Sequence, residues 1–224
     1  MKVILIFYFC LLDLVSLPQD TDFIKRYSSG KFPDSITTYY DENGKTIDAK
    51  VFHKKTLTGY YNIQLGVHDY DPKFGTLSLV KRPMPELEWI NKEVPKFEFP
   101  DLDGKSWSKK SITGKLVVFH FWFTKCGVCI KEIPLLNEIK KNYPDVLWFA
   151  ISYEDSETLK SFLHTHKVDL TVVPFKKDFA KTLKVNNWPV TFLIKDRVIK
   201  EVLYGVYGDS TLLRSRIAFY SDRK

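Results

Sequence analysis

Residues 116–134 read LVVFHFWFTKCGVCIKEIP and contain the transition on which the fold depends. The apolar run 116–123 is suited to a central β-strand that is covered on both faces. It is followed by the box Cys126-Gly-Val-Cys129, after which apolar residues recur at helical spacing. Two cysteines separated by two residues at a strand-to-helix junction can close a small disulfide and open it again. The stretch therefore predicts redox chemistry on an α/β scaffold.

Composition sets broad limits on the rest of the chain. Its 224 residues, of which 44% are hydrophobic and 27% charged, suffice for one large domain, or for a smaller domain with an extension. The 34 basic residues exceed the 27 acidic ones, giving a net charge of +7. Because this excess is spread along the chain and forms no basic runs, it does not indicate nucleic-acid binding.

The N-terminus resembles a secretory signal. Lys2 precedes an uncharged run at 3–12, which is too short to span a membrane comfortably. We expect residues 1–17 to be a signal peptide or an N-terminal anchor, and the poor cleavage site leaves both open. We expect Cys10, within the run, to be membrane-buried and lost on maturation.

The mature chain would then keep only Cys126 and Cys129. A bridge between them closes too short a loop to stabilise the fold much by restricting the unfolded chain. Exported proteins in oxidising compartments usually place structural bridges between distant segments. Reactivity therefore explains this pair better than stability does.

Residues 18–92 form a β-rich N-terminal region in this interpretation. The runs 37–40, 46–52, 59–65 and 75–80 are interpreted as antiparallel strands, with 82–85 as the linker that follows. The aromatic residues of this region would form either a docking surface or a modest core.

Residues 93–224 have the pattern of an α/β domain. Further core strands are predicted at 146–152 and in a hairpin over 190–203. Helices are predicted from the cysteine box, over 155–166 and 177–183, and from Ser210 onward. The prediction is a central mixed β-sheet flanked by helices.

Several motifs carry a family resemblance. Phe121-Trp122 precedes the cysteine box, Glu132 and Pro134 follow it, and the segment 188–194 reads WPVTFLI. Over residues 94–220 the chain resembles the thioredoxin fold, and most closely the exported TlpA/ResA-type thiol–disulfide oxidoreductases of the redoxin (AhpC/TSA) group. The resemblance implies a thioredoxin-like fold and an activity that requires neither a cofactor nor a metal.

The two cysteines have distinct roles in this resemblance. Cys126 stands just before a helix whose free N–H groups and dipole stabilise a thiolate, so it is assigned as the nucleophile. Cys129, one turn into the helix, would be the resolving thiol of a redox disulfide Cys126–Cys129. A static bridge and half of a zinc site are the alternatives, but zinc would need two further ligands.

Two downstream residues are expected to support the cysteines on the substrate side. Pro189 matches a proline that is cis in this family, and the backbone beside it pairs with the bound substrate. Trp188 would form part of that substrate platform or simply cover the core. Thr191 belongs to the same motif.

Three further residues are expected to tune the thiols. Glu132 matches a glutamate near the active site of the subgroup; the alternative is a solvated helix carboxylate, because glutamate is common on helices. His120 lies where thioredoxins place a buried aspartate; it would accept the proton of Cys129 or be a hydrogen-bonded core histidine. Lys125 places a positive charge beside the thiolate, which should lower the pKa of that thiol.

The resulting hypothesis is an enzyme that reduces protein disulfides outside the cytoplasm, in the periplasm or attached to the membrane through its N-terminus. In the family this activity serves cytochrome c maturation or repair, with a membrane or periplasmic thiol carrier as electron donor. One alternative is a redoxin-type peroxidase, although Thr124 lies two residues before Cys126 and the peroxidase motif requires three. Another is a binding or assembly protein that uses residues 18–92.

Overall fold

The computed structural model describes residues 37–58, 60–67, 75–207 and 210–221. Residues 1–17, including Cys10, lie outside the described residues, so the predicted signal or anchor is not among them. The chain folds as two units, and the boundary between them follows Arg82. No helix in the described ranges is both long enough and apolar enough to cross a membrane.

The first unit contains a four-stranded sheet and one helix. Its elements are β1 (Thr37–Tyr40), β2 (Thr46–Ile47), α1 (Ala49–Leu57), β3 (Tyr61–Val67) and β4 (Gly75–Lys81). The strand order is β2-β1-β4-β3, and β1 is parallel to β4 while the other pairs are antiparallel. The expectation of purely antiparallel strands is therefore wrong. A parallel pair needs a long connection, and β2, α1 and β3 together form the connection between β1 and β4.

The predicted strand 46–52 is also wrong after its first two residues. The carboxylate of Asp48 accepts the backbone N–H of Lys50 at 2.7 Å and caps the first turn of α1. The capped helix then turns the ring of Phe52 to within 4.9 Å of the ring of Tyr39, between centroids. Both side chains are buried, so these aromatic residues form a core.

The second unit begins at Pro83. It opens with a 3₁₀ helix (Pro85–Trp89), which begins at the last residue of the predicted linker 82–85. The elements that follow are β5 (Glu98–Pro100), β6 (Ser106–Ser108), β7 (Leu116–Phe121), α2 (Gly127–Asn142), β8 (Leu147–Ile151), α3 (Ser156–Leu163), β9 (Thr171–Val173), α4 (Lys177–Thr182), β10 (Val190–Lys195), β11 (Val198–Leu203) and α5 (Ser210–Ser221). The α/β domain was predicted to begin at residue 93, but residues just before it also contact the second unit. The backbone N–H of Asn91 donates to the carbonyl of Ile199 at 2.8 Å.

The central sheet has the order β11-β10-β7-β8-β9. Strands β7, β8 and β9 are parallel, and β10 is antiparallel to both β7 and β11. The predicted mixed sheet flanked by helices is confirmed. The sequence did not predict the edge strand β9, since three residues are too few to show a period.

All six residues of β7 are buried, as expected for the middle strand of a sheet covered on both faces. The chain leaves β7 at Phe121 and reaches the cysteine box five residues later. The box therefore lies at the carboxyl end of the central strand, the edge at which α/β sheets usually bind ligands.

Candidate active site

The cysteine box occupies the first turn of α2. Cys126 is the N-cap residue, and its sulfur accepts the backbone N–H of Cys129 at 3.2 Å. The two sulfur atoms form a disulfide of 2.05 Å, with the Cα atoms 5.2 Å apart. Cys126 retains 8% of its surface and Cys129 none. An attacking group from solvent therefore meets Cys126 first.

The loop that enters the box is held by a carboxylate that the sequence did not single out. Glu154 accepts the backbone N–H of Thr124 at 2.8 Å and its hydroxyl at 2.6 Å. The same carboxylate accepts the hydroxyl of Ser152 at 3.2 Å. No local pattern signals this role, because Glu154 follows β8 and lies 30 residues away in the chain.

Behind the box is a buried polar cluster that contains three of the predicted site residues. His120 on β7 and Thr191 on β10 are direct cross-strand partners, with Nδ1 of His120 3.0 Å from the hydroxyl oxygen of Thr191. Nε2 of His120 lies 3.9 Å from Oε2 of Glu132. The other carboxylate oxygen, Oε1, accepts the backbone N–H of Tyr207 at 2.9 Å.

Burial decides the protonation of this cluster. It lowers the pKa of His120 to about 3 and raises the pKa of Glu132 to about 7, although backbone N–H groups at Tyr207 and Val206 oppose the second shift. At neutral pH the imidazole is therefore neutral and the carboxyl is close to its midpoint. Glu132 is only 1% exposed, so its interpretation as a solvated helix carboxylate is wrong.

Glu132 is also on the helix face of the resolving cysteine. It follows Cys129 by three residues in α2, and residues at this spacing are neighbours on one side of a helix. Both side chains are buried. The helical spacing thus places the buried carboxyl on the same face of α2 as the less exposed cysteine.

The downstream motif forms the next part of the site. The peptide bond between Trp188 and Pro189 is cis. The half-buried ring of Trp188 packs against the rings of Phe123 and Tyr153, with centroids 5.8 Å and 5.4 Å away. Tyr153 remains 41% exposed. Trp188 therefore covers the core and also borders an exposed aromatic surface.

Two residues adjacent to the cysteines face solvent. Lys125 is exposed next to Cys126, and Val128 keeps 50% of its surface. Tyr207, which holds Glu132 through its backbone, is 44% exposed, with the ammonium of Lys131 5.5 Å from its ring centroid.

Comparison with known proteins identifies the family. The model of the AhpC/TSA family matches residues 90–202, slightly more than half of the 224 residues. The chain belongs to the AhpC/TSA family. The predicted redoxin membership is therefore confirmed.

Curated relatives narrow the assignment within that family. The thiol–disulfide oxidoreductase ResA of Bacillus thuringiensis subsp. konkukian is 36% identical over 119 residues, which cover 50% of this chain and 69% of the relative. ResA of Bacillus anthracis is 34% identical over 121 residues, covering 52% and 70%. The protein is a thiol–disulfide oxidoreductase of the ResA type, as the resemblance implied.

Solved structures agree on the fold. A thiol:disulfide interchange protein from Bacteroides sp. superimposes with a TM-score of 0.50 at 25% identity, covering 60% of this chain and 92% of that one. A protein assigned as the thiol:disulfide interchange protein DsbE from Chlorobium tepidum gives 0.52 at 20% identity, covering 58% and 96%. The thioredoxin-like fold is thereby confirmed.

Proposed function

We propose that this oxidoreductase reduces disulfides of polypeptide substrates outside the cytoplasm, with Cys126 as the nucleophile and Cys129 as the resolving thiol. The observation that carries the proposal is the unequal exposure of the two bonded sulfurs at the start of α2, 8% for Cys126 and none for Cys129. Free N–H groups at a helix N-terminus stabilise a thiolate there. This favours attack by Cys126 over attack by Cys129.

The reaction proceeds in two exchanges. In the first, the Cys126 thiolate attacks one sulfur of the substrate disulfide, forming a mixed disulfide and releasing the other substrate sulfur as a thiolate that takes up a proton. In the second, Cys129 loses its proton and attacks the Cys126 sulfur, which releases the second substrate thiol. The substrate gains two electrons and two protons, and the enzyme ends as the Cys126–Cys129 disulfide.

The buried cluster supplies the proton acceptor in this mechanism. The Glu132 carboxyl, with its pKa raised to about 7 by burial, is half ionised at neutral pH, on the helix face of Cys129. His120, held by Thr191, lies 3.9 Å from Glu132, and because burial lowers its pKa to about 3 it stays neutral and does not itself take up the Cys129 proton. A base whose pKa lies near the working pH is partly deprotonated there and still basic enough to accept a proton.

The substrate side of the site is the loop at Trp188 and Pro189. In this proposal the backbone beside Pro189 pairs with the substrate chain, and Trp188 forms one wall of the platform. The exposed aromatic surface at Tyr153 supports a polypeptide substrate, because apolar area beside the disulfide can bind the flanking residues of a peptide. Lys125, exposed beside Cys126, favours its thiolate.

The proposed compartment rests on the N-terminal sequence, and the electron donor is a further part of the proposal. A signal or anchor over residues 1–17 would place the enzyme in the periplasm or on the outer face of a membrane, where a thiol carrier regenerates the dithiol. Maturation of cytochrome c is one process that needs such a reductant.

Reduction of insulin by the full chain, with dithiothreitol as the electron donor, tests the proposal. We expect turnover above that of dithiothreitol alone, loss of it in Cys126→Ser, and a trapped mixed disulfide with insulin in Cys129→Ser. Equal activity of Cys126→Ser and the unaltered enzyme would contradict the assignment.

Two further measurements separate this function from its alternatives. The reduction potential of the cysteine pair against glutathione should be strongly negative, whereas a high value would reverse the direction of electron flow. Consumption of hydrogen peroxide at a rate matching insulin reduction would instead identify a redoxin-type peroxidase.

A further inference from the structure

The 3₁₀ helix Pro85–Trp89 carries a carboxylate that reaches the loop before the cis proline. Glu86 has no exposed surface. Its Oε1 accepts the backbone N–H of Asn186 at 2.6 Å and that of Asn187 at 3.1 Å, and its Oε2 accepts the hydroxyl of Tyr204 at 3.0 Å. A buried carboxylate is costly unless its oxygens accept hydrogen bonds, and here both do. The contacts fix the backbone of two consecutive residues.

A second contact holds the same loop from the same segment. The side-chain amide of Asn187 donates to the backbone carbonyl of Pro83 at 2.9 Å and approaches Oε1 of Glu86 at 3.5 Å. Asn187 is itself only 4% exposed. Residues 83–86 therefore hold both the backbone and the side chain of Asn187.

The loop held in this way leads directly into the substrate side of the site. Asn187 is followed by Trp188 and Pro189, and Val190 then starts β10 directly opposite Phe121, the last residue of β7. The chain continues from Phe121 into the cysteine box. The Trp188–Pro189 turn and the box are thus at the same end of adjacent strands, and Glu86 anchors the residue just before that turn.

We propose that Glu86 is a positioning residue for polypeptide substrates: its carboxylate holds the 186–189 loop in the conformation that presents the backbone beside Pro189 to the substrate chain. The inference rests on the proposed function, in which a substrate binds beside Pro189. Glu86 lies before residues 90–202, the part matched by the AhpC/TSA model. It does not touch the reacting sulfurs, so it acts on substrate binding and not on thiol chemistry.

Steady-state reduction of insulin by Glu86→Gln, with dithiothreitol, provides the test. Glutamine keeps the shape of the side chain but has one acceptor oxygen, so an amide N–H must replace one of the two oxygens that now accept hydrogen bonds. We expect KM for insulin to rise about five- to tenfold, in line with the net loss of one hydrogen bond, while kcat stays within about twofold. Alkylation of the reduced Cys126 thiol by iodoacetamide should keep its rate.

The same helix offers a matched control in Glu88. This carboxylate is exposed and pairs with the ammonium of Lys184 at 2.7 Å on the surface, so Glu88→Gln should leave KM, kcat and the alkylation rate unchanged. Tyr204→Phe, which removes one hydroxyl donor to Glu86, should raise KM by a smaller factor than Glu86→Gln does. It keeps the test available if Glu86→Gln fails to fold.

The outcomes separate this inference from the proposed function. A wild-type KM in both Glu86→Gln and Tyr204→Phe would overturn the positioning role, as would a parallel fall of kcat and of the alkylation rate, which indicates general destabilisation. Absence of Cys126-dependent insulin reduction in the unaltered enzyme and in Glu88→Gln would instead overturn the proposed function.

Discussion

Nε2 of His120 and Oε2 of Glu132 face each other at 3.9 Å, and neither atom makes a hydrogen bond within the described part of the chain. Each residue is 1% exposed, and each is held on its other side, His120 by Thr191 and Glu132 by Tyr207. If Thr191 donates to Nδ1, the imidazole proton is on Nε2 and points at the carboxylate. If Nδ1 donates, Nε2 can accept from the protonated carboxyl. The tautomer of His120 and the ionisation of Glu132 therefore decide together whether a proton lies between Nε2 and Oε2.

Replacing Glu132 should change the pH dependence of insulin reduction. The carboxyl ionises as pH rises through about 7, so the unaltered enzyme gains a proton acceptor for Cys129 over that range. Glu132→Gln lacks this gain and should be at least about tenfold slower above pH 7, while the two enzymes converge near pH 6. The ratio of their rates is the relevant measure, because the Cys126 thiol titrates in both.

Glu138→Gln is the matched control for this experiment. Glu138 is on the same helix but is exposed and pairs with Arg214 at 2.9 Å, so its profile should follow that of the unaltered enzyme. Parallel pH profiles for Glu132→Gln and the unaltered enzyme would remove Glu132 from the mechanism.

The same two groups should affect the free energy of unfolding with opposite pH dependence. The pKa of His120 is lowered in the folded state, so its contribution is lost as pH falls from 6.5 towards 3. The pKa of Glu132 is raised, so its protonated form favours the fold below 4.5, and this contribution is lost as pH rises to about 7. Between pH 6 and 4.5 the two effects largely cancel in the unaltered protein.

Single variants expose each effect separately. On lowering the pH from 6 to 4.5, Glu132→Gln should lose about 2 kcal/mol of stability relative to the unaltered protein, and His120→Asn should gain about 2 kcal/mol. Urea unfolding of the disulfide form at both pH values measures the changes. If the unfolding free energies of the two variants, each relative to the unaltered protein, changed in the same direction between pH 6 and 4.5, the assigned directions of the two pKa shifts would be wrong.

Removing the hydroxyl of Thr191 should destabilise the fold through His120. Thr191→Val keeps the shape of the side chain but leaves Nδ1 of a fully buried imidazole without its partner, which costs about 1–3 kcal/mol. The same substitution in a His120→Phe background should cost much less, because no imidazole is then left unpaired. A double-mutant cycle of the four unfolding free energies gives the coupling, and a coupling near zero would contradict the contact.

Loss of Glu154 should loosen the loop that enters the cysteine box. Glu154→Ala removes the acceptor of both the backbone N–H and the hydroxyl of Thr124, and we expect a loss of about 1–3 kcal/mol in urea unfolding. Glu157→Ala, an exposed position in the first turn of α3, serves as the control with a change within about 0.5 kcal/mol. Equal effects of the two substitutions would show that the Glu154 contacts add nothing.

Local patterns were reliable where a segment carries its own signal. The apolar run before the box became the central strand, and the spacing of the box placed Cys126 at a helix N-terminus. The hairpin over 190–203 and the helix predicted over 155–166 were likewise predictable from short stretches. The predicted strand through Phe52 failed because the cap at Asp48 outweighed a β-like composition.

The sequence by itself determined the cysteine box, the central strand that leads into it and the family, because each is encoded in contiguous residues or in a motif of fixed spacing. Only the tertiary structure decided how the box is supported. Glu154 reaches Thr124 across 30 residues, and Glu86 reaches Asn187 across 101. Around the box, burial converted His120 and Glu132 from two ordinary side chains into a facing pair with shifted pKa values. Desolvation and hydrogen bonding between distant segments exist only after folding, so no local pattern can encode them.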